Sequence, residues 1–145
     1  MQPSIAESRI ERPGYAWVGI GLQIFVGVMA VPIGLLMILD PNGSPVGIPN
    51  EWIADSPFGS YLLPGIFLLA VNGIGQLAGA VLAIMGQPFA PWVMGALGVG
   101  LIVWIGVQVL IIPLSFLQPL IFVIGVVQGL VALFWLRRLG YLRRP

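Results

Sequence analysis

The chain has 145 residues, of which 59% are hydrophobic and 8% are charged, and its formal net charge is +1. In soluble globular proteins roughly a quarter of the residues are charged, so this composition excludes an ordinary water-soluble domain. The chain contains no cysteine, histidine or lysine. Disulfides, thiolate chemistry and cysteine-ligated metals are therefore excluded, as is the imidazole that most acid–base catalysis and most haem or zinc sites use.

Two long stretches, residues 14–39 and 56–136, contain no ionised side chain. They hold four apolar segments, which we predict to be transmembrane helices at residues 16–39, 62–85, 92–112 and 120–136. A bilayer core about 30 Å thick needs about 20 apolar residues per helix, and within lipid the backbone must satisfy its own hydrogen bonds. The expected fold is therefore all-α, a single membrane domain of residues 1–145 built as a bundle of four transmembrane helices.

The polar residues 1–13 are expected to fray ahead of the first span. Residues 16–39 are about twice as long as the apolar core of a signal peptide and lack a cleavage pattern after them, so we interpret them as a span. Pro32 is predicted to bend this helix, because it deprives the carbonyl of Val28 of its helical partner. The sequence Asp40-Pro41-Asn42-Gly43 then signals a tight turn.

Charge is distributed so as to orient the bundle. The outer loop, residues 40–58, contains Asp40, Glu51 and Asp55 and no basic residue. The six arginines lie at the chain ends: Arg9, Arg12, Arg137, Arg138, Arg143 and Arg144. The positive-inside rule therefore places both termini in the cytoplasm and the acidic loop outside. We interpret the arginines after span four as a topology anchor, with specific binding of anionic lipid as the alternative. The loop carboxylates are expected to stay hydrated rather than to bind a metal, and residues 50–53 to begin a short surface helix.

Aromatic and proline residues mark the span ends. Trp17, Trp92 and Trp135 are predicted to lie at the level of the lipid headgroups. Pro113 is expected to end the third span, and Pro119 to occupy the first turn of the fourth.

The two halves of the chain resemble each other. Residues 60–67 resemble residues 115–122, and Trp17-Val18 resembles Trp92-Val93. Such spacing suits a tandem repeat of two helical hairpins. A chance match between apolar sequences is the alternative.

Every span carries at least one carboxamide side chain: Gln23, Asn72, Gln76, Gln108 and Gln128. An unpaired amide facing hydrocarbon costs several kcal/mol, so we expect these groups to face one another. Depth along the spans brings Asn72, Gln108 and Gln128 towards one candidate ligand site, and leaves Gln23 and Gln76 in a separate layer nearer the cytoplasm. Interhelical hydrogen bonding is their ordinary use, and orienting the polar head of a quinone or lipid is the alternative.

Small residues on the spans are predicted to let the helix backbones approach closely. The candidate packing residues are Gly27, Gly75, Gly79, Gly125 and Gly129. The last four form two G-x-x-x-G pairs, Gly75/Gly79 and Gly125/Gly129.

The chain also resembles a known kind of membrane protein. The motifs that carry the resemblance are Asp40-Pro41-x-Gly43, Ser56-Pro57-Phe58, Leu63-Pro64-Gly65-x-Phe67, Asn72-Gly73-x-Gly75, Trp104-Ile105-x-x-Gln108-Val109 and Leu117-Gln118-Pro119. They resemble a widespread family of small four-span bacterial membrane proteins without an assigned activity, and the chain is similar to DoxX-like proteins in size and span count alone. The resemblance implies a multi-pass protein of the bacterial cytoplasmic membrane.

The leading hypothesis for function is a non-catalytic integral membrane protein, acting as a homo-oligomer or as an accessory subunit of a larger membrane complex. Its expected partners are the lipid bilayer and other membrane subunits, with no nucleic acid and no metal. The alternative is a binder or carrier of a small lipophilic molecule that uses Asn72, Gln108 and Gln128. The absence of ionisable residues from the spans argues against ion- or proton-coupled transport, and no nucleophile and base share a catalytic spacing, so no enzyme activity is expected.

Overall fold

A computed structural model describes residues 10–42, 44, 51–54, 57–111 and 117–141, and these residues are helical without strands. The helices are α1 Gly14–Leu39, α2 Glu51–Ala54, α3 Leu62–Phe67, α4 Gln76–Ile84, α5 Ala90–Ile111 and α6 Leu117–Arg138. A π-helical segment, Leu68–Gly75, joins α3 to α4 without a break.

Within the described part of the chain, four helices are long and apolar enough to cross a membrane, and we call them the first to fourth spans. They are Gly14–Leu39, Leu62–Ile84, Ala90–Leu110 and Gln118–Arg138. The predicted all-α, four-helix membrane architecture is therefore confirmed, with bounds that differ from the predicted ones by a few residues. Pro119 lies in the first turn of α6, and a turn at Pro41 and Asn42 follows α1, both as predicted. Pro113 lies outside the described residues.

The spans form a closed ring of neighbours. Each span packs against the next one in sequence, and the fourth packs back against the first. Gly34 lies against the start of the second span at Gly65 and Leu69, whereas Gly27, nearer the start of α1, lies against Gly73 and Leu77 further along it. The first two spans are therefore antiparallel, and the short link between Ile84 and Ala90 favours the same up-and-down arrangement for the second and third spans.

Glycine–glycine contacts hold each of the two helical hairpins together. In the first hairpin, a Cβ added at Gly34 would stand 3.0 Å from the carbonyl oxygen of Gly65. In the second hairpin, a Cβ added at Gly98 would stand 2.8 Å from the carbonyl oxygen of Gly125. A side chain at any of these positions would separate the backbones, so both hairpins depend on glycine for their close approach.

Buried apolar side chains form three layers along the bundle axis. The first layer contains Ala16, Ile20, Ala80, Ala83, Ala90, Met94, Val131, Ala132 and Trp135. The middle layer is Val26, Leu101 and Ile124, and the third is Met37 with Tyr61 at the opposite end. The outer surface carries large exposed apolar side chains such as Phe25, Leu63 and Phe134, as expected where the solvent is hydrocarbon.

The residues just before α1 are packed against the end of the bundle. The backbone N–H of Ile10 donates to the carbonyl of Gly86 at 2.8 Å, and the guanidinium of Arg12 donates to the carbonyl of Ile84. Pro13 is buried. We call residues 10–13 the N-terminal strap. The expectation that residues 1–13 fray is wrong for the strap, because its polar groups bond the last carbonyls of the second span; residues 1–9 lie outside the described residues.

The strap also binds the end of the fourth span. The indole N–H of Trp135 donates to the carbonyl of Glu11, and Arg138 forms a 3.1 Å ion pair with the Glu11 carboxylate. The beginning of α1 and the end of α6 thus lie at the same end of the bundle. Trp17 and Trp92 are about half exposed, but Trp135 is fully buried. The predicted headgroup level of Trp135 stays a prediction, and the structure adds that the first apolar layer encloses its ring and the strap satisfies its only donor.

Candidate functional site

Four carboxamides are fully enclosed by the bundle, and we call them the amide cluster. Gln23, Gln76 and Gln128 have no exposed surface, and Asn72 retains 1%. They come from the first, second and fourth spans. The predicted avoidance of hydrocarbon is confirmed for these four amides, because all are buried. That the amides face one another is shown for Gln76 and Gln128.

Two members of the cluster are directly bonded. Nε2 of Gln76 donates to Oε1 of Gln128 at 3.2 Å. The second and fourth spans are not neighbours in the ring, so this bond crosses the centre of the bundle. The predicted layering is wrong here: Gln76 was expected to lie apart from Gln128, but the π-helical segment widens the second span and shifts depth estimates that assume a regular α-helix.

Glycine residues on the neighbouring helices leave space for two of the amide side chains. A Cβ added at Gly79 would stand 2.7 Å from Nε2 of Gln23, and one added at Gly98 would stand 3.1 Å from Cβ of Gln128. Gly79 lies one turn beyond Gln76, so Gln23 reaches the second span beside the Gln76–Gln128 pair. Gly79 was predicted to allow close packing of helices. The structure adds that the side chain it leaves room for is Gln23, a member of the amide cluster.

Most polar atoms of the cluster have no hydrogen-bond partner among the residues that the structure describes. The unpartnered atoms are Nε2 and Oε1 of Gln23, Nδ2 and Oδ1 of Asn72, Oε1 of Gln76 and Nε2 of Gln128. Burying a polar group without a partner costs about 1–3 kcal/mol in proteins. A further hydrogen-bonding group, either ordered water or a ligand, would satisfy these donors and acceptors.

Asn72 lies in the π-helical segment, which the sequence did not predict. Outward-facing residues of the second span recur every fourth position from Ile66 through Ala70 and Ile74 to Ala78. A regular α-helix would complete three turns in about 11 residues rather than 12. The wider turns keep Asn72 on the buried side of the span, and π-helical turns are frequently found at functional sites.

The other sequence-predicted residues fall into different places. Gln108 is half-buried rather than enclosed, on the same span as Trp104, whose ring stacks on Phe67 at a centroid distance of 5.1 Å. Gly27 and Gly125 make close interhelical approaches, and a Cβ at Gly75 would stand 3.4 Å from Leu97. A Cβ at Gly129 would meet nothing within 4 Å. Sequence reasoning missed Gly98, which approaches the backbone of both Gly125 and Gly129.

The amide cluster is chemically neutral. Carboxamides donate and accept hydrogen bonds but do not exchange protons at physiological pH. Gln23 and Gln128 each lie on their span between a residue of the first apolar layer and a residue of the middle layer, and Gln76 bonds Gln128, so these three amides are in a low-dielectric environment. Asn72 lies one turn before Gln76 on the second span, beside Gly73, which approaches Val31. The cluster can orient a neutral polar group, and it offers no charge to stabilise an ion.

Comparison with family models, with curated proteins and with solved structures finds no match. The resemblance to small four-span bacterial membrane proteins therefore stays a prediction.

Proposed function

We propose that this chain is a non-catalytic membrane protein that binds a small neutral lipophilic molecule between its first, second and fourth spans. The observation that supports this function is the set of six unpartnered polar atoms in the amide cluster. They lie in an otherwise apolar bundle, where water cannot reach lipid-buried groups freely and an unsatisfied group is costly.

The donors and acceptors define the chemistry of the ligand. Three amide nitrogens, on Gln23, Asn72 and Gln128, and three amide oxygens, on Gln23, Asn72 and Gln76, are available. If the oxygen and nitrogen of any one carboxamide were assigned the other way round, the unpartnered set would still contain both donors and acceptors. A neutral polar end with carbonyl and hydroxyl groups, such as a quinone–quinol head or a neutral lipid head, matches this mixture. A charged group would lose its hydration without gaining a counter-charge.

The test is to identify what the protein retains when it is taken from its own membrane without detergent. Native mass spectrometry followed by solvent extraction should reveal a neutral lipophilic molecule with the wild-type chain. Gln23→Leu and Gln128→Leu should each lower its retention at least several-fold. Gln108→Leu is the matched control, because Gln108 lies outside the cluster, and it should retain the molecule.

Two results would contradict this function. One is retention of water alone, which would make the cluster a hydrated structural element. The other is equal retention by the wild type, Gln23→Leu and Gln128→Leu. Loss with Gln108→Leu instead would favour the original grouping of Asn72, Gln108 and Gln128.

A second candidate function is association with another copy or with a larger membrane complex as an accessory subunit. Part of the outer surface of α5 carries the small residues Ala96, Gly100 and Gly106 beside Val99 and Val103. A Cβ at Gly100 or Gly106 would meet nothing within 4 Å. Flat surfaces of small residues are typical of helix–helix contacts in lipid. Gly100→Leu should shift the mass of the assembly in native mass spectrometry, and an unchanged monomer would contradict this candidate.

We further propose that the protein resides in a bacterial cytoplasmic membrane with both chain ends in the cytoplasm. The arginines at both ends of the chain and the acidic connection between the first two spans support this orientation. The family resemblance supports the choice of membrane.

A further inference from the structure

The arginine-bearing end of the bundle carries a shallow groove, widely open to its surroundings, with a volume of about 410 Å³ and lined by Pro88, Phe89, Trp92 and Tyr141. Pro88 and Phe89 belong to the link between the second and third spans. Trp92 lies in the first turn of α5, and Tyr141 follows α6. None of the residues that line the groove belongs to the amide cluster. The groove lies at the end of the bundle, whereas the cluster lies inside it, so the two are separate.

Two glycine-terminated helix ends fix the shape of this groove. Gly86 has a φ of 71° and Gly140 a φ of 78°, a conformation that glycine adopts without steric cost. Tyr141 N–H donates to the carbonyl of Leu136 at 3.0 Å, and Gly140 N–H donates to that of Arg137 at 3.1 Å. These two bonds form a Schellman motif. The end of the second span has the same motif, in which the N–H groups of Gly86 and Gln87 donate to the carbonyls of Ala83 and Leu82. Backbone hydrogen bonds therefore hold both walls of the groove in place.

The groove presents aromatic rings to the surroundings of the bundle. Phe89 is 49% exposed, Trp92 is 51% exposed and Tyr141 is 38% exposed. At the end of a membrane span these rings lie near the boundary between headgroups and acyl chains, where aromatic side chains are favoured. The apolar walls match the upper acyl chain of a lipid.

Among the described residues at this end of the bundle, Arg12, Arg137 and Arg138 are basic and Glu11 is acidic. Arg137 is exposed in the last turn of α6 and belongs to the turn that places Tyr141. Arg138 is paired with Glu11, and Arg12 is bonded to the carbonyl of Ile84. The first turn of α5 contains no acidic residue, so the positive end of its helix dipole adds to the field.

We propose that this groove binds an anionic glycerophospholipid, with its phosphate in the field of Arg137 and its upper acyl chain against Phe89, Trp92 and Tyr141. A zwitterionic lipid offers the same phosphate but carries its own cation, so the positive field favours an anionic headgroup. This site is independent of the amide cluster and of its ligand.

The experiment uses the full chain in nanodiscs of equal parts phosphatidylglycerol and phosphatidylcholine, with the retained lipid measured by native mass spectrometry. Wild-type protein should retain phosphatidylglycerol preferentially. Arg137→Gln should lower this preference by about fivefold. Tyr141→Ala should lower the retention of both lipids, because it removes one wall of the groove.

Arg138→Gln is the matched control, since it makes the same change of charge at the neighbouring residue, which is paired with Glu11 rather than placed in the turn before Tyr141. It should keep most of the preference. Equal losses with Arg137→Gln and Arg138→Gln would indicate a general charge effect and overturn the site. Equal retention of both lipids by the wild type, or no retained lipid, would overturn it as well. Thermal unfolding of each variant in the same nanodiscs checks that the fold is intact.

Discussion

The indole Nε1 of Trp135 donates a 2.8 Å hydrogen bond to the backbone carbonyl of Glu11. These residues are separated by 124 positions in the chain, and the bond closes the ring of four spans at one end. It also explains why a tryptophan at a span end is buried: its donor is satisfied by the strap instead of by lipid headgroups. The strap thereby covers the end of the bundle nearest the first apolar layer.

Trp135→Phe should loosen this end of the bundle. The substitution removes the donor while largely keeping the ring, so the expected loss of unfolding free energy is about 1 kcal/mol. Hydrogen exchange at the amide of Ile10 should become faster, because the strap has lost one of its anchors. Trp92→Phe is the matched control, since Trp92 is half exposed, and it should leave that exchange rate unchanged. An unchanged rate in Trp135→Phe would show that the other strap contacts suffice.

The Gln76–Gln128 hydrogen bond should be measurable as an energetic coupling. Gln76→Leu and Gln128→Leu each leave a buried partner without its bond, whereas the double variant removes both polar groups. A double-mutant cycle on unfolding free energies should give a coupling of about 0.6–1.7 kcal/mol, the range found for hydrogen bonds between membrane helices. Coupling near zero would show that each amide finds an equivalent partner when the other is removed.

Much of the architecture could be predicted because the physical signal is strong. Uninterrupted apolar stretches with charges confined to the ends allow few alternatives to spanning helices, and the four spans are confirmed. The inward orientation of Gln23, Asn72, Gln76 and Gln128 also followed from the cost of an amide in hydrocarbon.

The arrangement within the bundle could not be predicted in the same way. Depth along a span was estimated from regular α-helical rise, and the π-helical Leu68–Gly75 changes both rise and rotation, so the partner of Gln128 was misassigned. Gly98 has no glycine four residues away in sequence, so no G-x-x-x-G motif marks it. It is needed because it faces Gly125 on the neighbouring helix α6. A pattern within one helix does not encode what the next helix presents to it.

Gly98→Ala should destabilise the second hairpin. The new Cβ would stand 2.8 Å from the carbonyl oxygen of Gly125 and 2.9 Å from the backbone nitrogen of Gly129, and neither backbone can move without separating α5 from α6. The expected cost is about 1–3 kcal/mol of unfolding free energy. The measurement is unfolding of the purified protein in mixed micelles by a denaturing detergent.

Gly129→Ala serves as the control for this prediction, because it makes the same change on the facing helix at a position whose Cβ meets nothing within 4 Å. It should be neutral or stabilise by up to about 1 kcal/mol, since alanine has the higher helix propensity. Similar destabilisation by both substitutions would mean that α5 and α6 pack more closely at Gly129 than this geometry shows.

The orientation of the bundle can be tested without background, because the chain contains no cysteine. Asn42→Cys and Pro88→Cys place single thiols at exposed positions in two links, one after the first span and one after the second. These links lie at opposite ends of the bundle, since the strap that precedes α1 bonds the residues just before Pro88.

If the arginine-bearing end faces the cytoplasm, a membrane-impermeant maleimide added to intact cells should label Asn42→Cys. Pro88→Cys should react only after the cells are permeabilised. The reverse pattern would invert the bundle and move the proposed lipid site to the outer leaflet. Labelling of both thiols in intact cells would contradict an arrangement of four spans with a single fixed orientation.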